Sequence, residues 1–151
     1  MANIICTGKR IVGYKEMVTI SFDGKNEFLL TATMDTGNSG IFPTIGVNIL
    51  EQTEEKIRFI VQASYCKIAE EVVCDIEGAI NPKVGKDKQN RPVVKCAYIK
   101  TCGKKIENTY VAVADRSFKK TQALINRNLM TEMRLIVDPS AEFNWGDDLK
   151  L

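Results

Sequence analysis

The sequence predicts a mainly β domain with one short helix near its C-terminal end. Two pairs of alternating apolar runs are joined by turn signals, Met17 to Met34 and Val93 to Ala114. A separate run, Ile57, Phe59 and Val61, alternates in the same way. The stretch opening at Leu129 and Met130 reads as the short helix. With 151 residues the chain suits one domain with a real core, set here as residues 1–140 followed by a tail, 141–151.

In order along the chain, Val18, Ile20 and Phe22 share one face of a strand, with Thr19 and Ser21 on the other. Asp23-Gly24 reads as a tight hairpin turn, and the return strand runs from Glu27 to Met34. In Ile41 to Gln52, Pro43 and Gly46 break any regular element. After the Ile57–Val61 strand, Cys66 to Ile76 is β-prone despite Glu70-Glu71. Ala79 to Pro92 reads as a loop, with two prolines, Gly85 and many charges. Val93 to Cys102 turns at Gly103 and returns along Ile106 to Ala114. Leu135-Ile136-Val137 forms a last strand stopped by Asp138-Pro139. Phe143 and Trp145 form an apolar pair on the tail, suited to docking on the body or on an assembly partner.

Composition excludes several chemistries. The net charge is +2, so the chain is not a strongly basic nucleic-acid binder. The basic cluster Lys83, Lys86, Lys88 and Arg91 has no interleaved aromatics for base stacking, which argues against nucleic acid as partner. No apolar run is long enough to cross a membrane, and Met1 to Arg10 has no secretory apolar stretch, which predicts a cytoplasmic protein, or a virion-associated one if phage-encoded. There are five cysteines and no histidine, and the spacing of Cys66, Cys74, Cys96 and Cys102 does not suit zinc. Reduced, mostly buried thiols and no metal or other cofactor are expected. Without histidine there is no Ser-His-Asp triad and no histidine base, and no Gly-rich phosphate loop is present. Carboxylates are left to do any hydrolytic acid–base work.

The stretch that answers to this is Met34-Asp35-Thr36-Gly37-Asn38-Ser39-Gly40. Phe28, Leu30, Ala32 and Met34 line a buried strand face, so Asp35 is aimed by rigid backbone. Thr36 can bond locally, and Gly37 permits a bend other residues resist. Alone, the triplet is a turn after a strand. Far downstream, Leu124-Ile125 leads into Asn126-Arg127-Asn128 and the helix.

Together these two segments resemble retroviral-type aspartic peptidases, which carry Asp-Thr-Gly after an apolar strand and, near the end, two apolar residues, Gly-Arg-Asn or Gly-Arg-Asp and a short helix. More narrowly, the chain is similar to the bacterial and phage group long labelled "ATP-dependent zinc protease" and now regarded as retropepsin-like. That likeness rests on Gly13 to Ile20, Met34 to Gly37, Arg91-Pro92-Val93-Val94, Asp115-Arg116-Ser117, Leu124 to Leu129 and Val137 to Ser140. Two positions depart from the pattern: Asn126 stands where the family has Gly, and Asn38 replaces a small residue.

The resemblance implies a closed or curled β-barrel and an aspartic endopeptidase with Asp35 as the catalytic group. Thr36, Gly37, Asn126, Arg127 and Asn128 would support its loop. One Asp-Thr-Gly per chain is half a site, so a homodimer with Asp35 from each copy is expected. The substrate would be an extended protein or peptide segment added as a strand. A flap is expected within Cys66 to Cys102, its tip near Lys83, Gly85, Lys86 and Lys88, whose charge suits acidic residues beside the cleaved bond. The family's termini help build the dimer sheet, which makes the tail a candidate for that role. The alternative is a catalytically inactive module of the same fold, binding or structural, within a larger assembly such as a phage particle.

Overall fold

The computed structural model describes residues 9–66, 71–81, 83–84, 87–88 and 90–145. Its elements are β1 (Arg10–Ser21), β2 (Phe28–Asp35), β3 (Thr44–Gln52), β4 (Lys56–Val61), β5 (Tyr65–Cys66), β6 (Val72–Asp75), β7 (Gly78–Ile80), β8 (Lys83–Val84), β9 (Asp87–Lys88), β10 (Arg91–Thr101), β11 (Lys104–Ala114), β12 (Ala123–Asn126), α1 (Arg127–Met133) and β13 (Leu135–Glu142). The protein is mainly β, with one short helix near the C-terminus among the described residues. Six strands pair in the order β11-β10-β1-β2-β12-β3, and β3 returns to β11 to close a barrel. Closure leaves these six without a free edge. Outside it, β4 and β6 extend β3, while β5, β7 and β13 pair with β2, β10 and β1. Among the described residues, no helix is long and apolar enough to cross a membrane.

Alternation builds the core. Phe28, Leu30, Ala32 and Met34 of β2 are buried, and Leu29, Thr31, Thr33 and Asp35 between them are partly exposed. Ile57, Phe59 and Val61 do the same on β4, and Phe59 stacks edge-on against Phe22. Leu129, Met130 and Met133 bury one side of α1. Each such side chain removed from water contributes about 1.5–3 kcal/mol.

Both expected hairpins form, with differences that have physical causes. The turn between β1 and β2 is wider than a two-residue Asp23-Gly24 turn, because the Asp23 carboxylate gathers the N–H groups of Lys25 and Asn26, each at 2.8 Å. Gly46 does not break the chain but lies inside β3. A Cβ there would sit 2.6 Å from Gln62 Oε1 and 2.7 Å from the Gln122 carbonyl, so its lack of a side chain lets three segments meet. Ala79 to Pro92 is not all loop: β7 pairs with the start of β10, with Pro92 opposite Ala79, and β8 pairs with β9. The last strand does not stop at Pro139. β13 runs on to Glu142 with a register shift against Gly13 to Lys15, and proline is tolerated in such an irregular outer strand.

The boundary at residue 140 therefore falls inside β13, and the chain stays attached beyond it. Phe143 N–H donates to the Lys15 carbonyl at 2.8 Å. The Glu16 carboxylate, 1% exposed, accepts from Gly13 N–H at 2.7 Å, Asn144 N–H at 2.9 Å and Trp145 N–H at 3.1 Å. The Trp145 indole donates to the Ile11 carbonyl at 2.8 Å, under the Arg10 guanidinium. Trp145 thus docks on its own body, and the backbone donors from Phe143 to Trp145 are used within the chain.

Candidate active site

Asp35 closes β2, where the strand's core-facing partner Met34 is buried and Asp35 itself is only partly so. β12 lies parallel to β2 with Asn126 opposite Asp35, and α1 starts at the next residue. Strand, neighbouring strand and helix thus hold the carboxylate from one side of the turn. Gly37 N–H donates to Asp35 Oδ1 at 3.1 Å, and Asn38 N–H to the Asp35 carbonyl at 3.2 Å. Gly37 turns the chain without a positive φ. A Cβ there would lie 3.4 Å from Asp35 Oδ1, an ordinary van der Waals contact. Thr36 is exposed beside it.

The triplet Asn126-Arg127-Asn128 lies against the turn that follows Asp35. Arg127 acts through its backbone, its N–H donating to the Asn38 carbonyl at 3.0 Å, while its side chain is exposed. Asn126 is fully buried, and its Nδ2 donates to the Gly40 carbonyl at 2.7 Å. Asn128 Nδ2 reaches the same oxygen at 3.4 Å. Asn126 needs no left-handed backbone, since its φ of −81° and ψ of 161° are extended. It is the N-cap of α1 and makes no side-chain cap bond. Asn126 Oδ1 is buried with no hydrogen-bond partner, a loss of about 1–3 kcal/mol for an amide oxygen.

Sequence reasoning named Arg116 only within a motif, and the structure gives it a place. It is 8% exposed, and its Nε donates to the Thr121 carbonyl at 3.1 Å while Nη2 reaches Thr121 Oγ1 at 3.3 Å. Thr121 Oγ1 bonds Thr33 Oγ1 at 2.7 Å, and Thr33 shares a face of β2 with Asp35. Burial pulls the Arg116 guanidinium below its ordinary value and neighbouring Arg91 pulls it further, while the Asp35 carboxylate acts the other way. Arginine stays charged at neutral pH regardless. Arg91 Nη1 donates to Thr44 Oγ1 at 3.0 Å. The readable signal for this cluster was an arginine directly after the apolar β11 run, next to the alternating face of β2.

The flap expectation is corrected in part. Val93, Val94, Cys96 and Ile99 of β10 are buried and pair into the barrel, so Arg91 to Cys102 is wall and cannot fold over a cleft. Lys83 and Lys88 lie opposite each other in the β8–β9 pair, which is not joined to the barrel sheet. Gly85 and Lys86 lie outside the described residues. Burial pushes the Cys96 thiol up to about 12 and the Cys74 thiol up to about 11, so neither offers a thiolate near neutrality.

No protein-family model matches the chain, and no curated protein does. The solved structures give a likeness. The chain is similar to Lpg0085, a protein of unknown function (DUF785) from Legionella pneumophila, known from a crystal structure. The two share 22% identity at a TM-score of 0.62, over 89% of this chain and 96% of that one. At that identity the likeness shows the fold alone, shared with a chain of nearly the same extent.

Proposed function

We propose that the protein is an aspartic endopeptidase whose site is completed by a second copy of the chain, with two Asp35 carboxylates around one water. The observation that carries this reading is the seat of Asp35: the last residue of a core strand, bonded by Gly37 N–H and level with Asn126, the residue before α1. Two carboxylates this close cannot both ionise easily, so they share a proton. The ionised one takes a proton from the water as it attacks the peptide carbonyl, and the protonated one donates to the carbonyl oxygen. The titration belongs to the pair. The chain holds no second Asp-Thr-Gly, so the second carboxylate comes from a twin. Ile41, just after the Asp35 turn, and Phe118, just after Arg116, stand exposed, and a facing copy or a bound peptide would cover them.

The test pairs Asp35→Asn with the natural chain on a quenched-fluorescence peptide library at mildly acidic pH. The natural chain cleaves, and the variant loses about a thousandfold or more, the scale expected for a group that acts as a unit with its partner. Sedimentation finds dimers of both. If neither cleaves while both assemble, the chain is a binding or structural module of this fold. If only monomers are found at working concentration, the shared dyad fails.

A further inference from the structure

The two residues that depart from the family pattern, Asn38 and Asn126, meet on one residue, Gly40. Asn38 Oδ1 accepts from Gly40 N–H at 2.8 Å, and Asn126 Nδ2 donates to the Gly40 carbonyl at 2.7 Å. Gly40 is thus gripped at both its polar groups by side chains from opposite ends of the chain. The grip extends to Asp35, because Asn38 also donates its N–H to the Asp35 carbonyl and receives Arg127 N–H on its own. Asn126 makes this bond in place of others. It stands at the helix N-cap, where asparagine is among the favoured residues, yet leaves the cap unmade and one buried oxygen unpaired. A Cβ on Gly40 would lie 2.8 Å from Asn38 Oδ1, so a side chain there would push that oxygen aside.

We propose that Asn38 and Asn126 are a coupled pair of positioning residues that clamp Gly40, one at its N–H and one at its carbonyl, and so fix the Asp35 turn. Each departure alone would loosen the turn, and together they compensate. The inference rests on the peptidase reading for its catalytic consequence, and on the geometry alone for the clamp.

The experiment uses the full chain with Asn38→Ala, Asn126→Ala, the double alanine variant, Asn38→Asp and Asn126→Asp. Two quantities are read: hydrogen exchange of the Gly37 amide by NMR, and kcat and KM on a cleaved peptide. Each single alanine speeds Gly37 exchange and lowers kcat by about tenfold, the weight of one lost hydrogen bond, with KM within about twofold. The amide of core Ile99 keeps its protection, which separates this from general unfolding. The double variant is no worse than the worse single, because either break frees the same residue, Gly40. The aspartates split: Asn38→Asp keeps an oxygen for Gly40 N–H and exchanges Gly37 like the natural chain, whereas Asn126→Asp sets an oxygen against the Gly40 carbonyl and behaves like the alanine. Additive losses in the double variant, equal behaviour of the two aspartates, or unmoved Gly37 exchange would overturn the clamp. If the natural chain cleaves nothing, the peptidase reading fails while Gly37 exchange still decides the clamp.

Discussion

Glu16 is a charged residue inside a hydrophobic phase. Val12, Val18 and Ile20 occupy the same parity on β1 and are buried, and Glu16 is buried with them. Such a carboxylate survives only if its oxygens are fully used. Three backbone N–H groups, from Gly13, Asn144 and Trp145, supply this and tie the chain's end to β1. Glu16→Gln replaces one acceptor oxygen by a donor facing a donor. The expected loss is about 2 kcal/mol in urea unfolding, the range for hydrogen bonds to a charged group. Emission of Trp145, the only tryptophan, should move to longer wavelength as its seat loosens. An unchanged midpoint and spectrum would mean that the Glu16 bonds do not hold this segment. The signal was present in the sequence as an acid in step with core positions, but alternation alone does not say which amides will come to it. The Asp35 turn is similar: the acid and its glycine were readable, while the meeting of Asn38 and Asn126 at Gly40 depends on residues far apart in the chain.

At the scale of elements, period-two patterns were legible and crossings were not. β2, β4, the β10–β11 hairpin and α1 lie where their apolar spacing puts them. β3 was hidden because Gly46 and Pro43 look like breakers when read alone. Gly46 is a strand residue for a tertiary reason, the approach of Gln62 and Gln122, with Gly46 N–H bonded to the Gln122 carbonyl at 2.7 Å. Gly46→Ala should therefore cost about 1–3 kcal/mol, the usual penalty for overpacking, because one of its two close neighbours is backbone that cannot swing away. Urea midpoints decide this, and a neutral or stabilising result would show that β3 and β12 can part without loss. β13 was cut short in the sequence reading because proline ends regular strands; the bulge against Gly13 absorbs it.

For the molecule as a whole, closure of the barrel brings β2 and β12 side by side although some ninety residues separate them, and α1 follows directly. That closure could be expected only through the family likeness, since no pattern within one strand names its neighbours. It sets one carboxylate at the end of β2, near the Arg116 guanidinium. With Phe143, Asn144 and Trp145 bonded to their own β1, the dimer in this account is built chiefly around the Asp35 turn and the exposed residues beside it. The most direct measurement is subunit mixing. Natural chain and Asp35→Asn are combined at constant total concentration, allowed to exchange, and assayed on a cleaved peptide. A site shared by two chains predicts activity falling as the square of the natural fraction; a linear fall, with each chain working alone, would contradict it.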